Sequence, residues 1–195
     1  MISKPKRMKQ RIITLLSLAL CFGFTACAWG PKKAKTEKPI CAEWLMPDSF
    51  VINKLGDRLT SVLFAPHSVK CYSLVGKEKV EEKNIEIEPN FVQENLLGKL
   101  RPNEIAVLQY TLLKQANSYE NDSIKVMSPY IPAITFEFRR KDETANVVIS
   151  LSDMTWTVVY DGKAQFNYNY ANKELISQFC NYYINNNKMK QTKTK

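Results

Sequence analysis

The stretch ITFEFRRKDETANVVISLSDMTWTVVYDGKAQFNYNY, residues 134–170, decides the fold. Ile134, Phe136 and Phe138 alternate with Thr135, Glu137 and Arg139. After the turn-like Lys141 to Thr144, Val147, Ile149 and Leu151 alternate with Val148, Ser150 and Ser152. A period of two with one apolar face predicts a half-buried antiparallel pair. Trp156, Val158 and Tyr160 continue the pattern. Asp161-Gly162 supplies a two-residue hairpin turn that needs positive φ, and Phe166, Tyr168 and Tyr170 return from it. On that last strand Gln165, Asn167 and Asn169 point away from the aromatic residues. Sugar-binding surfaces combine amides with rings, but within one strand alternation places the two on opposite faces.

Working outward, Asn172 can cap a helix whose apolar stripe is Leu175, Ile176, Phe179, Cys180, Tyr183 and Ile184. Towards the N-terminus, Lys54–Phe64 reads as one short amphipathic helix ended by Pro66. Val69–Val75 reads as a strand, and Val80–Glu88 as another at a solvent-facing edge. Phe91–Leu100 and Pro102–Leu113 read as two consecutive helices, with Pro102 in a first turn and Arg101 held out of helical geometry before it. The expected architecture is α+β: an antiparallel β-meander of about five to six strands with helices packed on one face.

The first residues set the compartment. Met1–Arg11 carries Lys4, Lys6, Arg7, Lys9 and Arg11 with no acidic residue, and Ile12–Phe24 is nearly all apolar. At about 13 residues this run is shorter than the roughly 20 that span a bilayer. It leads into Thr25-Ala26-Cys27-Ala28, and so reads as an export signal over residues 1–26. Phe24-Thr25-Ala26-Cys27 resembles the bacterial lipobox, with Phe24 where Leu is usual, in which the cysteine receives fatty acyl chains, palmitate among them, and becomes the mature N-terminus. Ala26-Cys27-Ala28 also satisfies ordinary signal peptidase, which would cut after Ala28 and leave a soluble periplasmic or secreted protein. Two or more acyl chains make a stable anchor, at about 0.8 kcal/mol per buried CH₂.

The formal net charge of +9 is unevenly placed. The signal holds five positive charges. Lys32, Lys33, Lys35 and Lys38 against Glu37 lie in residues 27–40, the anchor cysteine and its linker, and Lys188, Lys190, Lys193 and Lys195 lie in residues 185–195, expected to be a disordered basic tail. The single domain expected over residues 41–184 is left mildly acidic. Nucleic-acid binding, which needs a basic face on the folded part, is therefore not expected. The flanking lysines suit tethering near anionic headgroups.

One histidine, His67, stands four positions before Cys71. Cys71 with His67 as nucleophile and base is the catalytic alternative, but residues four apart on a strand share a face without touching. One histidine and no Cys-x-x-Cys give no zinc shell, no Gly-rich phosphate loop is present, and no cofactor is expected. Of the cysteines left after processing, Cys41 and Cys71 are the expected disulfide, with Cys180 a buried thiol on the last helix; three unpaired core thiols are the alternative. Asp122-Ser123-Ile124 fits a short glycosylation motif centred on Ser123.

Through the Phe24–Cys27 motif, Ser150–Lys163 and Asn167–Lys173, the chain resembles the small uncharacterised lipoproteins of Gram-negative bacteria. The resemblance implies a lipid-anchored envelope protein at the periplasmic side of a membrane. Its role would be binding or structural, with an envelope protein or a glycan as partner. The other function class is an exported thiol-dependent or hydrolytic enzyme using Cys71 and His67.

Overall fold

A computed structural model describes residues 45–79, 85–120 and 129–192. The chain enters through two short helices, α1 (Ser49–Leu55) and α2 (Asp57–Phe64). Asp48 caps the first, its Oδ1 accepting the Val51 N–H at 2.9 Å. The one helix expected over Lys54–Phe64 is thus two. The break is Gly56, whose φ of +77° with extended ψ ends α1 and opens α2 in a conformation only glycine adopts without strain.

Among the described residues seven strands follow: β1 (Ser68–Gly76), β2 (Glu86–Glu88), β3 (Phe91–Lys99), β4 (Pro132–Arg140), β5 (Glu143–Ser150), β6 (Thr155–Tyr160) and β7 (Lys163–Asn169). They form one antiparallel sheet in the order β2-β3-β1-β4-β5-β6-β7. The protein is therefore mixed helix and sheet, as expected. The sheet is larger than the five or six strands expected, and only β4 to β7 run as a simple meander. Asp161 (φ +51°) and Gly162 (φ +69°) make the hairpin turn that their sequence predicts.

The main correction is at Phe91–Leu100, expected as a helix and found as strand β3. Its register against β1 slips twice: Cys71 faces Gly98, Tyr72 faces Leu96, and Leu74 faces Gln93. β3 therefore carries extra, bulged residues, which destroy the period of two that would have marked a strand. Ser73 fills the irregularity, its Oγ accepting the Asn95 N–H and donating to Glu94 Oε2, both at 3.1 Å. Downstream, α3 (Pro102–Leu108) begins at Pro102 as expected. Glu104 Oε2 accepts the N–H of Arg101 at 2.6 Å, and a π-type turn over Gln109–Leu113 continues the helix.

One face of the sheet carries the core. Phe136 and Phe138 of β4, Val147 and Ile149 of β5, and Trp156 and Val158 of β6 are fully buried. They lie beneath Val62 and Leu63 of α2, Ile105 and Leu108 of α3, and Ile176 and Cys180 of α4 (Lys173–Thr192). Each large apolar side chain so buried contributes about 1.5–3 kcal/mol. Tyr119 meets Trp156 edge-on at 5.3 Å and donates its hydroxyl to the Leu113 carbonyl at 2.6 Å. Trp156 Nε1 reaches the Ser118 carbonyl at 2.7 Å. The stripe expected on α4 holds except at Leu175, which is 55 % exposed. The helix also runs on to Thr192, about two turns past Ile184, where the sequence reads as a tail. Among the described residues no helix is long and apolar enough to cross a membrane.

The other face is not simply solvated. Ile87 of the edge strand β2 packs with Leu74 of β1, Val148 of β5 and Val159 of β6. These residues span nearly the whole strand order, so the sheet must curl until its two ends approach. The result is nearly barrel-like, and it buries polar residues that alternation alone would leave outside. Thr135 is 0 % exposed and Glu137 5 %.

Candidate functional site

Cross-strand pairing lays the concave face out in rows. One row runs Tyr72, Thr135, Val148, Thr157, Asn167 from β1 to β7, and the next runs Lys70, Glu137, Asn146, Val159, Ala164. Thr135 Oγ1, Asn146 Oδ1 and, from β3, Gln93 Nε2 are buried without a hydrogen-bond partner. Glu137 Oε1 also lacks a hydrogen bond, although Arg139 Nε lies 2.9 Å away as a charge contact. A desolvated polar atom without a partner costs about 1–3 kcal/mol. The fold therefore carries polarity on this face at a cost to its stability.

Where the two ends of the curled sheet meet, they leave an open cleft of about 400 Å³. Glu88 and Phe91 line it from the β2–β3 end, Thr157, Gln165 and Asn167 from β6 and β7, and Tyr130 from the segment entering β4. Glu88 is 8 % exposed, and its Oε2 accepts the Tyr130 hydroxyl at 2.5 Å. Burial pushes the Glu88 carboxyl above its ordinary range, opposed by that hydrogen bond. The Tyr130 hydroxyl is pushed up as well, by burial first and then by donating to Glu88. The Phe91 and Tyr130 rings stand edge to face at 6.4 Å. Among the described residues lining this cleft one is acidic and none is basic.

A second, larger opening of about 760 Å³ continues past Glu88 and Pro89 to the β4–β5 and β6–β7 turns. There Glu143 Oε1 accepts from Arg58 Nη2 at 2.6 Å and from the Tyr160 hydroxyl at 2.7 Å. Those two bonds, Tyr160 first, hold the Glu143 carboxyl below its ordinary value. Arg58 is thereby committed to a neighbour.

The residues singled out from sequence are not brought together. Cys71 has no disulfide partner among the described residues and is fully buried in the core beside Cys180. Desolvation first, then the neighbouring Cys180, pushes it well above the ordinary thiol range, so the reactive thiolate is suppressed. His67 lies just before β1 with its N–H on the Arg139 carbonyl at 2.8 Å and its Nδ1 accepting the Lys141 N–H at 3.3 Å. Four residues of extended chain separate it from Cys71 by about 13 Å. Cys41, Cys27 and Ser123 lie outside the described residues, and with them the disulfide, lipidation and glycosylation expectations. Among the described residues no group of three or more His, Cys, Asp or Glu side chains is placed to hold a metal ion.

Glu88, Phe91 and Tyr130 are what the sequence reading missed. Glu88 reads as an exposed edge glutamate, and Phe91 as part of a helix. The amides of Gln165 and Asn167 read as a solvated row because alternation turns the aromatics of their own strand the other way, and Tyr168 is buried in the core. Rings nonetheless reach the amide side, Phe91 delivered by β3 near the far end of the curled sheet and Tyr130 by the approach to the central strand β4. Comparison with protein-family models, with curated proteins and with solved structures finds no match for this chain.

Proposed function

We propose that this is a lipid-anchored cell-envelope protein at the periplasmic side of a membrane, that it binds a ligand in the cleft between β2–β3 and β6–β7, and that its role is non-enzymatic. The observation that carries the binding reading is the convergence in one cleft of a buried carboxyl tied to a tyrosine hydroxyl, two aromatic rings and two side-chain amides. An apolar-walled hollow with a few placed polar groups is the usual form of a small-molecule site. The anchor rests on the charged start, the apolar run and Cys27.

Intact mass of the mature protein from a membrane fraction, with and without Cys27→Ala, tests the anchor. The expected result is a chain beginning at an acylated Cys27 whose lipid mass and membrane partition vanish in the variant. An unacylated chain beginning at Trp29 would refute the anchor and leave a soluble exported binding protein. The cleft is tested separately by amide chemical shifts under a small-molecule screen, which should cluster at residues 88–91 and 164–167.

A further inference from the structure

The cleft's inventory says more than that something binds there. Resting on the reading of this cleft as the ligand seat, we infer that its ligand is a neutral saccharide, held with a sugar face against Phe91 or Tyr130 and its hydroxyls on the amides of Gln165 and Asn167.

Charge narrows the choice first. A phosphate or carboxylate ligand needs a cation, and no basic residue lines the cleft among the described residues. Of the cations on neighbouring elements, Lys77 Nζ lies 2.7 Å from Glu86 Oε2 and Arg58 holds Glu143, while Lys163 lines the adjoining opening and not this cleft. An ammonium or guanidinium ligand needs an ionised, available carboxylate. The one acid present, Glu88, already takes the Tyr130 hydroxyl, and its burial favours the uncharged form.

Hydrogen-bonding pattern narrows it again. Gln165 and Asn167 of β7 both line the cleft, on either side of the residue at which β7 bulges against β6, with Thr157 directly opposite Asn167 on β6. Side-chain amides and hydroxyls each donate and accept. Their natural complement is a ligand whose groups also do both at short intervals, which is what the hydroxyls of a pyranose ring are. A wholly apolar ligand would desolvate these amides without replacing their water, at a cost. An extended peptide adding as an eighth strand would need the outer edge of β7, but Glu120 already accepts the Asn169 N–H there at 3.2 Å.

The rings supply the remaining contact. Phe91 and Tyr130 are each part-exposed, and their rings pack edge to face at 6.4 Å, which holds the pair at a fixed angle in the cleft wall. The C–H face of a sugar stacks on such a ring through weak C–H contacts and dispersion. The volume of about 400 Å³ falls within the roughly 300–1,000 Å³ of small-ligand sites. The Tyr130–Glu88 hydrogen bond fixes the tyrosine ring as a platform before any ligand arrives, which lowers the ordering cost of binding.

The test uses the full chain with Cys27→Ala, ¹⁵N-labelled. It is titrated to millimolar concentrations with maltotetraose, cellotetraose and chitotetraose, and in parallel with adenosine, spermidine and inorganic phosphate. The inference expects at least one saccharide to shift the amides of residues 91, 164, 165 and 167 in a saturable way. Gln165→Ala and Asn167→Ala, both at surface positions that leave the core untouched, should each weaken that saccharide about tenfold. Tyr130→Ala should abolish binding, while Tyr130→Phe, which keeps the ring, should retain part of it. If the saccharides leave these amides unmoved while adenosine, spermidine or phosphate moves them, the cleft binds but the class is wrong. If none of the six moves them, the ligand-seat reading falls together with the class. Shifts that appear only elsewhere on the surface also refute both.

Discussion

Two threonines on the concave face let the burial of polarity be tested without changing shape. Thr135 of β4 and Thr155 of β6 are both fully buried, but only one is satisfied. Thr135 Oγ1 has no partner, whereas Thr155 Oγ1 donates to Asp153 Oδ1 at 2.9 Å. Replacing either by valine keeps the β-branched shape that a strand favours and exchanges a hydroxyl for a methyl. At Thr135 the swap removes a desolvated hydroxyl whose burial costs about 1–3 kcal/mol, so Thr135→Val should stabilise by about 1 kcal/mol after imperfect packing of the methyl. At Thr155 it strips a hydrogen bond from a carboxylate that is only 7 % exposed, and Thr155→Val should destabilise by about 2 kcal/mol. Urea unfolding of the two variants and the parent reads both, with unchanged m-values showing that the difference is one of stability. In a domain of this size each kcal/mol moves Tm by about 2–4 °C. A loss at Thr135 comparable to that at Thr155 would refute the reasoning, because it would mean that a buried water or ligand pairs the Thr135 hydroxyl.

The remaining expectations are shorter. Because burial raises the Glu88 carboxyl above its ordinary 4.5, its contribution to stability is complete below that value and is lost as pH rises through the folded-state value. Glu88→Gln, neutral throughout, should therefore gain on the parent progressively as melts are taken from acid to neutral pH, and a pH-independent difference would show Glu88 to be solvated. Cys71 and Cys180 should resist thiol reagents in the native state and be labelled only as fast as the chain unfolds, read by peptide mass; rapid native labelling of Cys71 would reopen the thiol-enzyme alternative. Gly162→Ala, at φ +69°, should lower stability by about 1 kcal/mol by forcing a side chain into left-handed geometry.

What the sequence made legible follows from how regular each element is. β4 to β6 keep a clean period of two from Ile134 to Tyr160, and Asp161-Gly162 marks the next turn, so these strands are readable, although a bulge in β7 shifts its partners by one beyond Ala164. β3 is bulged against β1, and its apolar residues at 91, 92, 96 and 97 then fit a helix as well as a strand. Gly56 divides a helix whose apolar spacing runs through it. Leu175 continues the stripe on paper, yet it stands at the solvent side of α4.

The candidate site was illegible for a different reason. None of its parts is a motif. Glu88 and Phe91 sit at one end of the strand order, Gln165 and Asn167 at the other, Tyr130 comes from the segment entering the central strand β4, and only curvature brings them within one cleft. That curvature has local causes the sequence hides: bulges in β3 increase its twist, and Ile87 pulls β2 over Val148 and Val159. The alternation of β4 is then ambiguous in an instructive way. Thr135 and Glu137 between phenylalanines describe a solvent-facing row in a flat sheet and a buried polar lining in a curled one, and the same letters serve both. A flat sheet would have let these residues keep their water at no cost. That the fold instead encloses them, with atoms at Thr135, Asn146 and Gln93 left unpaired, is the physical reason to look for its function on the concave side rather than at the cysteines of its well-packed core.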